Sequence, residues 1–174
     1  MQQLPNLKKL KIISYPDPRL RLVAEPIEKI TPEIKELAEI MLDLMIKSQG
    51  VGLAAPQVGV SLRLIIVSTT GLRNDAIVLI NPLLSNLDGA SVHEEGCLSV
   101  PGVNAKVRRY ATCTVTALDL DGNEVTIEAD ELAAIAFQHE TDHLNGTLFI
   151  DKLSTVGKIA ARKGIKRLEE KFDK

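Results

Sequence analysis

The sequence predicts an α+β fold, and three observations carry that class. A helical apolar pattern follows Thr31-Pro32, short β-rich runs fill the middle of the chain, and a second helical run contains His139-Glu140-Thr141-Asp142-His143. The order helix, strands, hairpin, helix, helix segregates the two kinds of element, which argues against a doubly wound parallel sheet. At 174 residues, 45% apolar and 25% charged, the chain fits one domain over 1–174 with enough residues to bury a proper core.

Residues 1–30 are punctuated by Pro5, Pro16, Pro18 and Pro26 and are expected to be extended and irregular. Thr31 then offers a capping side chain, with Pro32 at the first helical position. Ile34, Leu37, Ala38, Met41, Leu44 and Met45 recur at helical spacing as one apolar face, ending near Gly50. Strands are expected over 62–67, 77–80, 112–120 and 124–128, the last two joined by the hairpin signal Asp121-Gly122. Asp130 is placed to cap a helix over 131–145, and Gly146 to end it. On that helix Leu132, Ile135 and Ala136 share neighbouring faces with His139 and His143, so its apolar side should be buried.

Composition excludes several classes of function. Aromatics are 3% with no Trp, which leaves no stacking platform for bases, and a net charge of −2 gives no overall attraction to DNA or membrane. No run approaches a transmembrane length, and nothing at the N-terminus resembles a signal peptide. Cys97 and Cys113 are too few to staple a secreted fold, so a reducing, cytoplasmic setting with free thiols is expected.

The chemistry is concentrated in Gln138-His139-Glu140-Thr141-Asp142-His143. A spacing of four puts both imidazoles on one helical face, close enough to grip one metal ion, and the adjacent Glu140 can act as general base for a water on that metal. A hydrolytic site of this kind needs a third protein ligand, for which His93 and Cys97 are the candidates. Cys97 follows Gly96, whose missing side chain would let backbone come close to a metal, and a thiolate binds divalent transition metals strongly. Cys113 lies in a β-rich run and is expected in the core.

Three ordered segments then resemble the motifs of the peptide deformylase family. They are Gly50-Val51-Gly52-Leu53-Ala54-Ala55-Pro56-Gln57, Glu95-Gly96-Cys97-Leu98-Ser99, and Gln138 to His143 with Leu144 and Gly146. Tyr15-Pro16-Asp17-Pro18, Leu20-Arg21 and Ile80-Asn81-Pro82 extend the resemblance, which reaches to about residue 153. It implies small antiparallel β-sheets packed around a central helix that carries the metal motif, with an N-terminal and a C-terminal helix. It also implies a hydrolase that removes the formyl group from the N-terminal formyl-methionine of newly made polypeptides.

On that resemblance Cys97, His139 and His143 bind one divalent metal, iron(II) in the cell, although the donor set also suits zinc, nickel or cobalt. Glu140 is the base, and the Gln57 amide and the Leu98 backbone N–H are oxyanion donors. Gly50 and Gly52 let an extended formyl-methionyl peptide lie alongside as an added strand. Val51, Leu98, Ala136 and Phe137 line its methionine pocket. Glu95 and Asp142 are expected to orient a ligand or Arg109. Thr141, Asn104 and Gln49 depart from the family pattern. Thr141 should affect packing only, Asn104 bears on the details of substrate binding, and Gln49 replaces an acidic residue just before the first glycine.

Two other readings compete. A metalloendopeptidase would use the same helix motif, but it more often takes Glu or His as third ligand and leaves the segment 95–99 unexplained. A catalytically idle ribosome-associated protein would lack a ligand or the base, and all four positions are intact. The segment 154–174 is expected to be a basic C-terminal helix. It carries seven basic against three acidic residues, a surplus of four, so the rest of the chain carries −6 of the total −2. Ala161, Ile165, Leu168 and Phe172 form its apolar stripe, so one face can dock while another stays basic, and the resemblance implies that this helix docks on the ribosome. If the fold survives, ending the chain near Leu153 is expected to spare reaction on a short peptide and to weaken binding to the ribosome.

Overall fold

The computed structural model describes residues 4–172. The first 30 residues are irregular, broken only by 3-10 turns at Leu7–Lys9 and Pro18–Arg21. Helix α1, Pro32–Lys47, begins at the expected proline. Thr31 occupies its N-cap position without a capping bond, because its hydroxyl pairs with the Glu33 carboxylate instead. The α1 face predicted from periodicity is buried, apart from half-exposed Leu44, and packs with Leu53, Leu64, Ile66 and Ile80 into one core cluster.

Seven strands follow: β1 Gly52–Ala54, β2 Leu64–Val67, β3 Ile77–Asp88, β4 Ser91–Glu95, β5 Ala105–Arg109, β6 Thr112–Leu118 and β7 Glu124–Asp130. They form an antiparallel five-stranded sheet, order β1-β2-β3-β6-β7, and a two-stranded sheet of β4 and β5. Strands β1, β4 and β5 carry no clean alternation in sequence. They are short or charged, and pairing rather than propensity makes them strands.

Strand β3 runs eight residues past its expected end at Ile80. The strand passes through Asn81-Pro82 by a register shift between Ile80 and Leu83. The Asn81 side chain there accepts from the Ile27 N–H and donates to the Ile27 carbonyl, both at 2.9 Å.

Helix α2, Glu131–Leu144, crosses behind the large sheet. The chain turns from β7 directly into it: Asp130 still pairs with Thr112, and its carboxylate makes no capping bond. Gly146 follows the helix with φ 68°, and a side chain there would meet the Arg21 carbonyl carbon at 2.8 Å, so glycine is required at this stop. One face of α2 meets Ile65, Val67, Leu79 and Val115 through Ala134 and Phe137. Its other face turns toward the two-stranded sheet.

Helix α3 spans Thr155–Phe172; the last two residues of the expected helix, 173 and 174, lie outside the described residues. Ala161 and Leu168 are buried with Val100, Val103 and Val107, and Ile165 is half-buried beside them. Phe172, expected in the same stripe, is 51% exposed, because the helix has run past the core it rests on. The helix is no loose appendage. It covers the Val100–Val103 turn just after Cys97-Leu98-Ser99, and Tyr15 Oη donates to Glu169 at 2.8 Å while Tyr15 N–H donates to the Ser99 carbonyl.

Candidate metal centre

Three elements converge on one point. His139 and His143 project from one face of α2, and Cys97 comes from the turn after β4. Cys97 Sγ stands 3.3 Å from His143 Nε2, which is 3.3 Å from His139 Nε2. The three donor atoms all lie within 4.8 Å of one another and could hold a metal ion. His93, the other candidate third ligand, is exposed on β4 and hydrogen-bonds Ser91 Oγ at 2.6 Å, outside this cluster. Both cysteines are free thiols, and Cys113 is buried in the core under α2 as expected.

The donor set fits a divalent transition metal. Glu95 Oε2 accepts from His139 Nδ1 at 2.8 Å, which aims the Nε2 lone pair at the cluster. Burial alone would lower the His139 imidazole. Its hydrogen bonds to Cys97 and Glu95 and the charge of Glu140 outweigh that and raise it to about 10, so these surroundings favour positive charge. His143 goes the other way: burial, then the nearby His139 and Arg109, hold it well below the ordinary range, in the neutral form that ligates.

Behind the histidines runs a buried ion-pair network. Arg109 grips Glu95 with two bonds, Nε to Oε1 at 2.7 Å and Nη2 to Oε2 at 2.9 Å, and reaches Asp142 with its third nitrogen. Burial raises the Glu95 carboxyl, but the hydrogen bonds from Arg109 and His139 prevail and hold it at about 2. Lys152 adds a contact to Asp142 at 3.2 Å. Glu95 therefore touches both His139 and Arg109, and Asp142 touches Arg109. Gln138, next to the first histidine, clamps Tyr110 by two bonds to its backbone and so ties α2 to the end of β5.

A cavity of about 350 Å³ opens at the cluster, lined by Gly50, Val51, Gly52, Leu98, Ala136 and Glu140 among others. Phe137 does not line it. It points to the opposite side of α2, 2% exposed against the large sheet, because one residue along a helix turns the side chain by about 100°. Leu132 and Ile135 line the cavity instead. The spacing of 132, 135, 136 and 139 held the signal for them, since those positions share a face with the first histidine.

Gln57 lies in the 3-10 turn Ala55–Val58, 1% exposed. Its Oε1 accepts from the Ala54 N–H at 2.8 Å, which fixes the amide so that Nε2 faces Cys97 Sγ at 3.4 Å and Ser99 Oγ at 3.3 Å. Glu140 is buried beside Gly52, and burial raises its carboxyl to about 7 against the opposing charges of His139 and Arg109. Thr141 is buried with its hydroxyl unpartnered, Asn104 is exposed beside Gly96, and Gln49 sits at the cavity rim with φ 56°.

The sequence model of the polypeptide deformylase family matches residues 9–158. The chain belongs to that family. The peptide deformylase of Buchnera aphidicola subsp. Schizaphis graminum is 44% identical over 163 residues, covering 94% of this chain and 98% of its own. That of Pseudoalteromonas translucida is 44% identical, with 94% and 97% covered. Among solved structures, the Legionella pneumophila peptide deformylase superposes with a TM-score of 0.87 at 41% identity, covering 95% of this chain and 98% of that one. A plant peptide deformylase reaches 0.94 at 36% identity, with 98% and 95% covered. The family's reaction is a metal-dependent hydrolysis that removes the formyl group from the N-terminus of a peptide. Among the described residues, no helix is long and apolar enough to cross a membrane.

Proposed function

We propose that Cys97, His139 and His143 hold one iron(II) ion, and that Glu140 uses it to deformylate N-formyl-methionyl nascent chains in the cytoplasm, within a single domain. The carrying observation is the convergence of one sulfur and two imidazole nitrogens within 4.8 Å, beside a buried carboxylate on the same helix. A divalent metal bound there supplies Lewis acidity, lowering the pKa of water and polarising the formyl carbonyl.

The chain's residues do the rest. A carboxyl held at about 7 can take a proton from the attacking water and return it to the departing amine near neutral pH. The pinned Gln57 amide offers an N–H to the oxygen that gains negative charge, and the Leu98 N–H, which has no acceptor among the described residues, offers another. Removing one such donor typically costs ~2.7–4 kcal/mol of transition-state stabilisation.

The peptide would lie extended along Gly50-Val51-Gly52. Among the described residues, strand β1 is an edge of the large sheet and β4 pairs with β5 alone, so each has a free edge beside the cavity. Val51, Leu98 and Ala136 give the methionine its apolar walls. Protein purified without oxygen should carry one metal per chain and release formate from a formyl-Met peptide, leaving the N-acetyl peptide intact. Absence of formate release from iron-loaded protein would refute the reading.

The outer face of α3 exposes Lys158, Arg162, Lys163, Lys166, Arg167 and Lys171, which suits the phosphates of ribosomal RNA. Co-sedimentation with ribosomes that falls steeply with salt is the expected result. Salt-insensitive or absent co-sedimentation would remove that assignment.

A further inference from the structure

We infer that Gly52 is a positioning residue for Glu140: the space a side chain at 52 would fill is where the Glu140 carboxylate stands. This rests on the reading of Glu140 as base and explains why its neighbour carries no side chain. Gly52 lies in β1, opposite Val67, with no positive φ, so backbone conformation does not demand glycine there. Its demand is spatial. A Cβ on residue 52 would fall 2.8 Å from Glu140 Cδ and 2.9 Å from Cγ, and closer still to Oε1.

Glu140 has little freedom to give way. It is 4% exposed, on a helix packed against β1, and its Oε2 has no hydrogen-bond partner. No hydrogen bond or ion pair among the described residues fixes the carboxylate. Packing alone sets its direction, and Gly52 is the wall it rests on. Gly52 and Glu140 line the cavity together with Cys97 and His139, so a displaced carboxylate moves relative to the donor cluster. Gly50 differs. A Cβ there would meet Leu98 Cδ1 at 2.7 Å, the far end of a half-buried side chain that can swing aside.

The test is a pair of variant cycles. In thermal unfolding of the apo protein, Gly52→Ala should lower Tm in the wild-type background. It should leave Tm nearly unchanged in the Glu140→Ala background, where all three clashing atoms are gone. An equal loss in both backgrounds overturns the steric assignment, whatever the activity does.

In steady-state assays on metal-loaded protein, Gly52→Ala should keep one metal per chain and a KM for formyl-Met peptide within about threefold. Its kcat should fall by about 100-fold, the scale of a 1 Å misplacement of a reacting group. The losses of Gly52→Ala and Glu140→Asp should not multiply in the double variant, since the shorter side chain lacks Cδ and Oε1, the two nearest clashing atoms, and keeps only Cγ at 2.9 Å. A loss confined to KM would assign Gly52 to peptide docking alone, and multiplicative losses would sever it from Glu140; either result overturns the proposal. Failure of the base assignment itself reads out separately, as full turnover in Glu140→Gln.

Discussion

Helices α2 and α3 are both amphipathic in sequence, and they use that pattern in opposite ways. From Ala134 to Leu144 every residue of α2 but Asp142 is buried, including Gln138, His139, Glu140 and His143. In α3 only Ala161 and Leu168 are buried, and the basic residues stay in solvent. Buried polar groups are costly unless paired, and the two exceptions on α2 without partners, besides Thr141, are atoms of Glu140 and His143 at the site itself. The contrast teaches that α2 buries polar groups where they meet the Cys97 turn, while α3 supports that turn from outside with apolar contacts alone.

The largest expected effect breaks the comparison at α2. Glu140→Gln should lower formate release by roughly 10²–10⁴-fold, the range for a lost general acid–base, with one metal per chain retained. Turnover near wild type would make α2 a scaffold like α3. Next comes α3. Leu168→Ala should cost about 2–5 kcal/mol by removing a buried side chain from the cluster around Val100 and Val103. Phe172→Ala should stay within about 0.5 kcal/mol because Phe172 is exposed. Equal costs in urea unfolding would mean that α3 docks along its whole length. Because α3 covers the turn after Cys97, Leu168→Ala should also loosen metal retention.

The legibility of the two helices differed for a physical reason. His139 and His143 stand at a spacing that puts both imidazoles on one helical face, so the motif and the helix that carries it were legible together. The apolar stripe of α3 announced a helix but not where its support ends, which depends on the turn at 100–103 in another part of the chain. Phe137 failed similarly: it is apolar and next to Ala136 of the cavity wall, yet one position off the cavity face. Strands β1, β4 and β5 were not legible because each is only three to five residues long, and β4 and β5 are largely polar or charged. From the residues alone Cys97 and His93 were equal candidates for the third donor, and only the resemblance of three ordered segments to the family singled out Cys97.

A smaller effect concerns the network that only α2 has. Glu95 is held at about 2 in the folded chain against an ordinary value of 4.5. A carboxyl depressed by folding stabilises above its unfolded value and loses that contribution as pH falls toward the folded one. Stability should therefore decline between pH 4.5 and 2 through Glu95, and Glu95→Gln should flatten that part of the profile. An unchanged slope would take Glu95 out of the Arg109–His139 network.

The smallest expected effect is at Thr141. Its hydroxyl is buried without a partner, so Thr141→Val keeps the shape, removes an unsatisfied group, and should raise stability by about 1 kcal/mol or leave it unchanged. A loss would show that the hydroxyl is satisfied in solution.

X-ray absorption of the zinc-loaded protein tests the centre most directly. One sulfur at about 2.3 Å and two imidazole nitrogens at about 2.0–2.1 Å are expected. The sulfur scattering should vanish in Cys97→Ser and persist in Cys113→Ser. A shell with no sulfur, or sulfur that survives loss of Cys97, would contradict the assignment of Cys97, His139 and His143 as the metal ligands.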